Sequence, residues 1–425
     1  MKTTTEEILN GVNIITIPAT QYKTNLISLY IKRPLSKSEA TMNSLIPYVL
    51  RAGSRNLPTQ SSIVKELQAL YGSSVGVNVS KVGEKQILSF KLAYTDEKYL
   101  DEKIAERVIT ILLEMVFDPY IENGAFKPSI VKIEKEILGE AILAKMNNKG
   151  SYAMERMVQA MCQDEPFSIS EDGYAQDLEQ IDEKNLYAHY QKVIAESEID
   201  FSLAGNVDKE TVARMIQEKI TALRGDMHKL SREEIYKEPS EVREVIEKMN
   251  VVQGKIALGY RTNIAVEDEL YIPMMVYNVI LGGGVSSKLF MNVREKHSLS
   301  YSIGSGMEPL KSLLFIRAGI EVTDFERAKK LIFAEVDDMK SGKISETELA
   351  HAKMYLVNGI RSVSDSIWGI SDYIYSLKLQ GVNRTPESVM ERVMNVTIEQ
   401  VVSAAQKLKL DTIYFLTNDE VTDEQ

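Results

Sequence analysis

Alternating apolar and polar positions mark the strands of this chain, and the same strand patterns occur twice. The segment NLISLYIKR alternates at Ile27, Leu29 and Ile31, and GKIALGYR repeats the pattern around Ile256, 229 positions after Ile27. A second pair, ILSFKLAYTD and LLFIRAGIEVTD, ends on aspartates that are 228 positions apart. Period-two alternation is typical of β-strands. Two strand patterns that recur at nearly one offset predict a duplicated unit.

A segment with helical periodicity follows each copy of the second strand pattern. The predicted helices are Tyr99–Phe117 and Phe325–Met339, and the second carries a continuous apolar stripe. This order predicts an α+β fold of two homologous domains, each with a mainly antiparallel sheet backed by helices. We place the domains at residues 1–222 and 250–425. The intervening residues 223–249 are rich in charge and poor in aliphatic periodicity, which predicts a linker.

The stretch Gly282–Ser302, GGGVSSKLFMNVREKHSLSYS, combines a glycine turn, a helical pattern and a strand pattern. A helix that ends near Arg294 and leads into a strand with Tyr301 brings a planar fork of donors close to a phenol. Together the two groups can hold a peptide carbonyl. The predicted helical face consists of Val285, Leu289 and Val293, and the predicted strand face of Leu299, Tyr301 and Ile303.

Spacing alone leaves structural roles open for the same residues. Arg294 fits a helix-end cation that pairs with Glu295 or with the last carbonyls of its helix. Tyr301 fits a strand aromatic packed in a core. Gly282, Gly283 and Gly284 form a backbone-permissive turn, and their amides can also line a peptide channel.

Composition excludes several classes of protein. The chain has 425 residues, a net charge of −11 and a pI near 5.2, which argues against nucleic acid or an anionic membrane as the main partner. It contains no apolar run of about 18 residues and no apolar signal segment near its start. A single cysteine fits a reducing compartment. We therefore expect a cytoplasmic protein.

The histidines and the cysteine give no local metal or nucleophile motif. The four histidines are His189, His228, His297 and His351, and the nearest two are 39 positions apart. No helix can therefore present two of them one turn apart, although a site built from distant histidines stays open. Cys162 lies in MCQDEP without neighbours that would activate a thiolate, and we interpret it as an ordinary thiol.

As a whole, the string Gly282–Ser302 resembles the pattern GGGxSSRLFxxxREKxxLxYS of the insulinase-like, pitrilysin-clan zinc peptidases of the processing-peptidase type. The resemblance implies the processing-peptidase or LuxS-like fold, with two domains forming half of a clam-shaped chamber. It also implies that Arg294 and Tyr301 anchor substrate, with Gly282, Gly283 and Gly284 beside them.

Active members of that family carry His-x-x-Glu-His on the first helix of the N-terminal domain. Two histidines one turn apart bind Zn²⁺, and the glutamate acts as general base. Here the corresponding positions are Ser44 and Tyr48 for the histidines and Pro47 for the base. Glu134 matches the upstream glutamate of the family's E-x6-E helix, but Ala141 occupies the third ligand position. The resemblance therefore implies that this chain holds no zinc and has no catalytic residue of its own.

In split bacterial members of the family, a zinc-bearing subunit pairs with a homologous subunit that supplies the arginine and tyrosine. This chain resembles the second kind, the YmfF-type subunit of Gram-positive bacteria. We expect a non-catalytic, substrate-binding subunit of a heterodimeric zinc peptidase that cleaves peptides, such as bacteriocin precursors, with zinc in the partner. The alternatives are a stand-alone peptide-binding or scaffold pseudoenzyme, and an enzyme of another chemistry, for which the sequence offers no constellation.

Overall fold

The structure is a computed structural model that describes residues 3–418. Its strands, in chain order, are β1 (Thr4–Leu9), β2 (Val12–Ile17), β3 (Thr24–Pro34), β4 (Ser74–Val82), β5 (Lys85–Thr95), β6 (Ile121–Glu122), β7 (Ala125–Phe126), β8 (Glu198–Ala204), β9 (Arg243–Lys248), β10 (Gly254–Arg261), β11 (Ser302–Glu308), β12 (Leu313–Ile320) and β13 (Lys409–Thr417).

The α-helices, in chain order, are α1 (Ala40–Arg51), α2 (Gln60–Ala69), α3 (Ala105–Phe117), α4 (Pro128–Lys145), α5 (Lys149–Met161), α6 (Glu183–Glu196), α7 (Lys209–Ile220), α8 (Tyr271–Gly282), α9 (Phe325–Lys340), α10 (Glu346–Ser362), α11 (Ile367–Leu379), α12 (Pro386–Met394) and α13 (Ile398–Ala405). A π-helix covers Leu289–Lys296. Short 3₁₀ helices cover Glu97–Tyr99, Pro166–Ser168, Ala175–Gln180, Thr221–Leu223, Pro309–Lys311, Val322–Asp324 and Val363–Asp365.

The chain forms two compact units that do not follow chain order throughout. Unit 1 runs to Leu143 and includes residues 169–232 and 364–376, whereas unit 2 consists of residues 144–168, 233–363 and 377 onward. Each unit therefore contains a segment from the other half of the chain. The predicted boundaries at 222 and 250 concern the sequence duplication, and they stay a prediction.

Each unit contains one large sheet, and five strands of each share the same topology. The strand order is β1-β2-β8-β3-β5-β4 in unit 1 and β11-β12-β10-β13-β9 in unit 2. The order β4-β5-β3-β8-β2 therefore matches β11-β12-β10-β13-β9 strand for strand. In each large sheet one pair, β2 with β8 or β9 with β13, is parallel, and the other neighbours are antiparallel. The predicted fold of two mainly antiparallel α+β sheets is confirmed.

In unit 1, both faces of the central strand β3 are buried. Ile27, Leu29 and Ile31 enter the main apolar core with α1, α3, α6 and α7. On the other face, the Tyr30 ring stacks on Tyr375 of α11 with 3.6 Å between ring centroids. Beside this stack Lys32 forms two ion pairs, and its Nζ lies 2.8 Å from Glu198 and 2.9 Å from Asp200.

In unit 2, α5 covers the corresponding face of the sheet at a glycine of β10. A side chain at Gly259 would meet the sulfur atoms of Met161 at 2.5 Å and of Met157 at 2.8 Å, so the helix approaches the strand closely. Neighbouring Cys162 is buried, and burial raises the pKa of its thiol to about 12. The thiol is therefore protonated at neutral pH, which agrees with an ordinary cysteine.

A buried ionic cluster holds the chain just after α5 against this sheet. Glu165 accepts from Arg261 at 2.7 Å and from Lys311 at 2.7 Å, and Arg261 also binds Asp411 at 2.9 Å. The side chains of Glu165, Arg261 and Lys311 are at most 5% exposed. Burial opposes ionisation of Glu165, but hydrogen bonds from Arg261 and Lys311 lower its pKa to about 2. The carboxylate is therefore charged and paired.

One predicted helix boundary is wrong. The first amphipathic helix begins at Ala105 rather than near Tyr99, because the Glu97 carboxylate accepts from the amides of Ile104 and Ala105 and caps the helix there. Part of the predicted linker forms β9 (Arg243–Lys248), an edge strand with alternate residues exposed. An edge strand needs little apolar surface, so its sequence reads as polar. Capping boxes at Ser345, Thr385 and Thr397 begin α10, α12 and α13.

Candidate functional site

The residues predicted to occupy the metal-motif positions, Ser44, Pro47 and Tyr48, lie on α1 in unit 1. Pro47 lies inside this helix and is buried, as expected, and it cannot donate a backbone hydrogen bond there. Ser44 is fully buried, whereas Tyr48 is half-buried. None of these three side chains can bind zinc as an imidazole does or act as a carboxylate base.

Ser44 belongs to a closed network of buried hydrogen bonds. Its hydroxyl donates to the Glu171 carbonyl at 2.5 Å and accepts from Gln86 Nε2 at 3.1 Å. Gln86 Nε2 also lies 2.6 Å from the Glu171 carbonyl and 3.0 Å from the Ala40 carbonyl. Gln86 Oε1 in turn accepts from Asn43 Nδ2 at 2.9 Å. The polar groups here satisfy one another.

His189 completes this network from α6. Its Nε2 lies 2.8 Å from Asn43 Oδ1, and the side chain is 8% exposed. Burial lowers the pKa of His189 to about 4; the negative charge of Glu39 opposes this effect, and the positive charges of Arg33 and Lys192 add to it. The ring is therefore neutral at pH 7 and donates its Nε2 proton to Asn43.

The position predicted for the third zinc ligand is occupied by a side chain that cannot bind metal. Ala141 and the adjacent Glu140 are exposed on α4, while Glu134 is nearly buried. Burial raises the pKa of Glu134, and the positive charge of Arg51 opposes this shift. The Arg51 guanidinium lies 5.6 Å from the centre of the Tyr48 ring. Within residues 3–418, no group of three or more His, Cys, Asp or Glu is arranged to hold a metal ion.

The predicted glycine turn of unit 2 has three different roles. Gly282 is the last residue of α8, and a side chain there would meet the Ser305 amide nitrogen of β11 at 2.4 Å. Gly283 ends the helix, and its Cβ would lie 2.6 Å from Val279 Cα. Gly284 has space, because the nearest atom, in Tyr355, would be 3.6 Å away. Gly282 thus permits close helix–strand packing.

The helix after the glycines is a π-helix, Leu289–Lys296, which is a rare form often found at functional sites. Leu289 and Val293 are fully buried, as predicted, but Val285 is 71% exposed. The prediction for Val285 is wrong because the residue lies in the turn before the helix. The helix ends at Lys296, and the left-handed backbone of Ser298 (φ 52°) follows in the exit turn.

Arg294 lies in the last turn of the π-helix, and its side chain is 41% exposed. Its guanidinium carbon lies 4.6 Å from the centre of the Phe290 ring, and its Nε lies 3.8 Å from Glu295 Oε1. Both contacts are local to the helix. The donors of Arg294 are therefore not consumed by the core.

Tyr301 lies one residue before β11 and is 55% exposed. Its amide donates to the Gly319 carbonyl of β12 at 2.9 Å, and its hydroxyl donates to the Glu321 carboxylate. This hydrogen bond raises the pKa of Tyr301. The predicted strand face is wrong in part, since Leu299 is buried and precedes the strand. The interpretation of Tyr301 as a core aromatic is excluded.

Comparisons with known proteins agree with this geometry. The domain family described as "Peptidase M16 inactive domain" matches residues 180–356. The "Probable inactive metalloprotease YmfF" of Bacillus subtilis is 33% identical over 412 residues, which cover 96% of each protein. The chain belongs to the M16 peptidase family. This family is the insulinase-like family expected from the sequence.

Two solved structures of similar proteins align with nearly the full length of this chain. A conserved protein from Enterococcus faecalis has a TM-score of 0.92 and 28% identity, covering 100% of both chains. An M16 inactive domain from Pseudomonas fluorescens has a TM-score of 0.79 at 18% identity, covering 98% of both chains, and this likeness shows the fold alone. The chain is an inactive, metalloprotease-like member of the M16 family.

Some polar residues of unit 2 were not singled out from the sequence. Lys255 and Arg317 lie on β10 and β12, and Lys149 is the first residue of α5. Their sequence signal is that Lys255 and Arg317 each lie inside a strand pattern that is mostly apolar. Among the described residues, no helix is both long and apolar enough to cross a bilayer.

Proposed function

We propose that this chain is the non-catalytic, substrate-binding subunit of a heterodimeric zinc peptidase. A homologous subunit with an intact His-x-x-Glu-His motif supplies the zinc and the general base. This chain supplies Arg294 and Tyr301, which hold the peptide backbone next to the cleaved bond. The complex acts in the cytoplasm on peptides, including precursors such as those of bacteriocins.

The observation that carries this proposal is that one polar region is buried and the other is exposed to solvent. The metal-motif residue Ser44 is fully buried and hydrogen-bonded on both sides, whereas Arg294 and Tyr301 are 41% and 55% exposed. A chain that has lost its metal ligands has no catalytic use for a substrate anchor of its own. Retention of accessible donors is therefore best explained by use with another subunit's zinc.

Arg294 and Tyr301 suit a peptide backbone chemically. The guanidinium presents planar donors in a fixed fork, and the phenol provides one donor and one acceptor. The Tyr301 hydroxyl is held by Glu321 in the free chain, so substrate must compete with this carboxylate. Two positioned contacts also fix the orientation of the scissile carbonyl, which favours turnover as well as affinity.

The decisive experiment measures kcat/KM for peptide hydrolysis by the chain reconstituted with a zinc-bearing homologue. Arg294→Ala is expected to lower kcat/KM on the order of 10- to 100-fold, because a charge-assisted contact is lost. Arg294→Lys should restore little, since an ammonium cannot reproduce the planar fork. Tyr301→Phe should lower turnover with little change in melting temperature.

Arg392→Ala, at an exposed arginine of α12 in the same unit, serves as the matched control and should change neither quantity. Elemental analysis should find zinc in the complex and none at stoichiometric level in this chain alone. Unchanged turnover in both anchor variants would contradict the proposal. Peptide binding by a chain that forms no complex with any zinc-bearing homologue would instead favour a stand-alone binding protein.

A further inference from the structure

Unit 2 contains an open cavity of about 860 Å³ next to the predicted anchor. It lies where β10 and β12 meet the α4–α5 connection, at the start of β11. Its lining includes three cationic side chains, those of Lys149, Lys255 and Arg317. No carboxylate contributes to the lining, although the chain as a whole carries a net charge of −11. A local excess of positive charge in an acidic protein indicates an anion site.

The three cations have no acidic partner in the described part of the chain. Lys255 Nζ donates to the amide oxygen of Gln253 at 2.9 Å, and Lys149 Nζ lies 2.9 Å from the Met249 sulfur. Arg317 is exposed at the cavity. Burial lowers the pKa of Lys255, as expected for an ammonium that lacks a counter-ion.

The floor of the cavity is shaped by a glycine. A Cβ at Gly319 would lie 3.0 Å from Lys255 Nζ and 3.2 Å from Ser302 Oγ, so both polar tips converge over the bare backbone. The N-terminus of α5 adds backbone donors from the side, since Asn148 is its N-cap and Gly150 carries no side chain over it. An ammonium, a hydroxyl, a guanidinium and helix amides thus border one space.

The cavity is continuous with the anchor along the chain. Tyr301 precedes the cavity residue Ser302, and the Tyr301 amide donates to the carbonyl of Gly319 on the cavity floor. The start of β11 therefore borders both the anchor residue Tyr301 and the cavity.

Resting on the proposed function, we propose that this cavity binds a carboxylate of the peptide substrate, supplied either by its C-terminus or by an acidic side chain. Arg317 provides the planar fork, and Lys255 and Ser302 provide donors from the floor. The substrate class is then a peptide with a carboxylate within a few residues of the anchored carbonyl.

The test measures binding of fluorescein-labelled decapeptides to the purified full-length chain by anisotropy at low ionic strength. One peptide has no acidic side chain and ends in a free carboxylate, the second is its C-terminal amide, and the third is that amide with one internal Glu. The free acid is expected to bind about tenfold more tightly than the plain amide. Tight binding of the Glu-containing amide identifies a side chain as the source, whereas preference for the acid alone identifies the C-terminus.

Lys255→Met and Arg317→Gln should each reduce this carboxylate preference several-fold without changing the binding of the plain amide. Lys407→Met, at an exposed lysine of the same unit, is the matched control and should keep the preference. Added salt should weaken it, because the contacts are partly exposed. Equal binding of all three peptides, no binding at about 1 mM, or an unchanged preference in both variants would overturn the proposal.

Failure of this inference can be told apart from failure of the proposed function. Loss of the carboxylate preference alongside Arg294-dependent turnover of the complex would overturn the carboxylate site alone. A preference that depends on Lys255 and Arg317, in a chain that supports no turnover with a zinc-bearing homologue, would support the site and contradict the subunit role.

Discussion

Units 1 and 2 share a sheet topology, but the polar residues around α1 in unit 1 and after α8 in unit 2 are arranged differently. In unit 1, Ser44, Gln86, Asn43 and His189 bind one another in a buried network around α1. In unit 2, the segment after α8 exposes polar groups at Arg294 and Tyr301. A buried polar group that is fully hydrogen-bonded stabilises the fold and has no donor left for a ligand. An exposed group can exchange water for substrate.

This difference does not hold for the units as a whole, because unit 2 also contains a saturated cluster, meaning a buried group of charges that are all paired. Glu165, Arg261 and Lys311 are buried and paired on the α5 face of its sheet. The corresponding face of unit 1 holds Lys32 with Asp200, which also accepts from the Tyr375 hydroxyl at 3.3 Å. Changes to saturated clusters should therefore affect stability, and changes to exposed groups should affect binding.

The largest effect on stability is expected from Glu165→Ala in unit 2. The change leaves Lys311 and Arg261 buried without their shared carboxylate, which typically costs roughly 3–5 kcal/mol of unfolding free energy. Urea unfolding at pH 7 measures this loss. Lys343→Ala, which removes an exposed partner of Asp338, should stay within about 0.5 kcal/mol and serves as the control. Similar losses in the two variants would show that the cluster is not saturated as described.

The same carboxylate gives unit 2 an acid-sensitive contribution. The pKa of Glu165 is about 2 in the folded chain against an ordinary 4.5, so the unfolded chain takes up the proton first. Its stabilising contribution is complete above pH 4.5 and should be lost as the pH falls from 4.5 towards 2.

In unit 1, Gln86→Ala should destabilise the chain by about 2–4 kcal/mol without affecting peptide binding. Gln86 is fully buried, and its loss leaves Asn43 Nδ2 without the Gln86 acceptor and removes a donor from the Ser44 hydroxyl. Gln163→Ala, at an exposed glutamine, is the control and should be nearly neutral. The comparison between units fails if Gln86→Ala weakens peptide binding while stability is kept.

His189 should give unit 1 a pH dependence in a different window. Its folded pKa is about 4 and its ordinary value 6.5, so between these values the unfolded chain binds the proton more readily. Stability should therefore fall on acidification from pH 6.5 towards 4, on the order of 3 kcal/mol at full effect. His189→Gln keeps a donor for Asn43 and should flatten the unfolding free energy across this window. An unchanged slope would mean that His189 is not buried as a neutral ring.

The smallest effect is expected at the glycines of unit 2. Gly282→Ala places a methyl group 2.4 Å from the Ser305 nitrogen and should cost about 1–3 kcal/mol through displacement of α8 from β11. Gly284→Ala meets only ordinary contact and should be nearly neutral in thermal unfolding. A loss of peptide binding in Gly284→Ala at unchanged stability would assign the glycine amide to the peptide channel. Equal destabilisation by both changes would contradict the packing role of Gly282.

Several local features were predictable because they depend on neighbours in the sequence. The apolar stripe of α9, from Phe325 to Met339, is buried as its spacing indicates. The capping box at Ser345 follows from the serine and Glu348 alone. Pro47 inside α1 was likewise expected. Each of these features needs only one turn of helix or one capping motif.

Other features could not be predicted because distant segments create them. The alternation of β3 indicates one buried face, but Tyr30 on the other face is also buried, by Tyr375. The predicted strand begins late, at Ser302 instead of Leu299, after the left-handed turn at Ser298. The basic cavity joins Lys149 to Lys255 and Arg317, which are far apart in sequence.

By itself, the sequence indicated the paired strand and helix patterns and the duplication, since periodicity and residue chemistry are local properties. Only the tertiary structure decided which polar residues are saturated and which remain available. That distinction depends on segments such as α11, whose Asp372 accepts from the hydroxyl of Tyr30, 342 positions earlier. Burial and hydrogen-bond partners are set by packing between distant segments, and no local pattern encodes them.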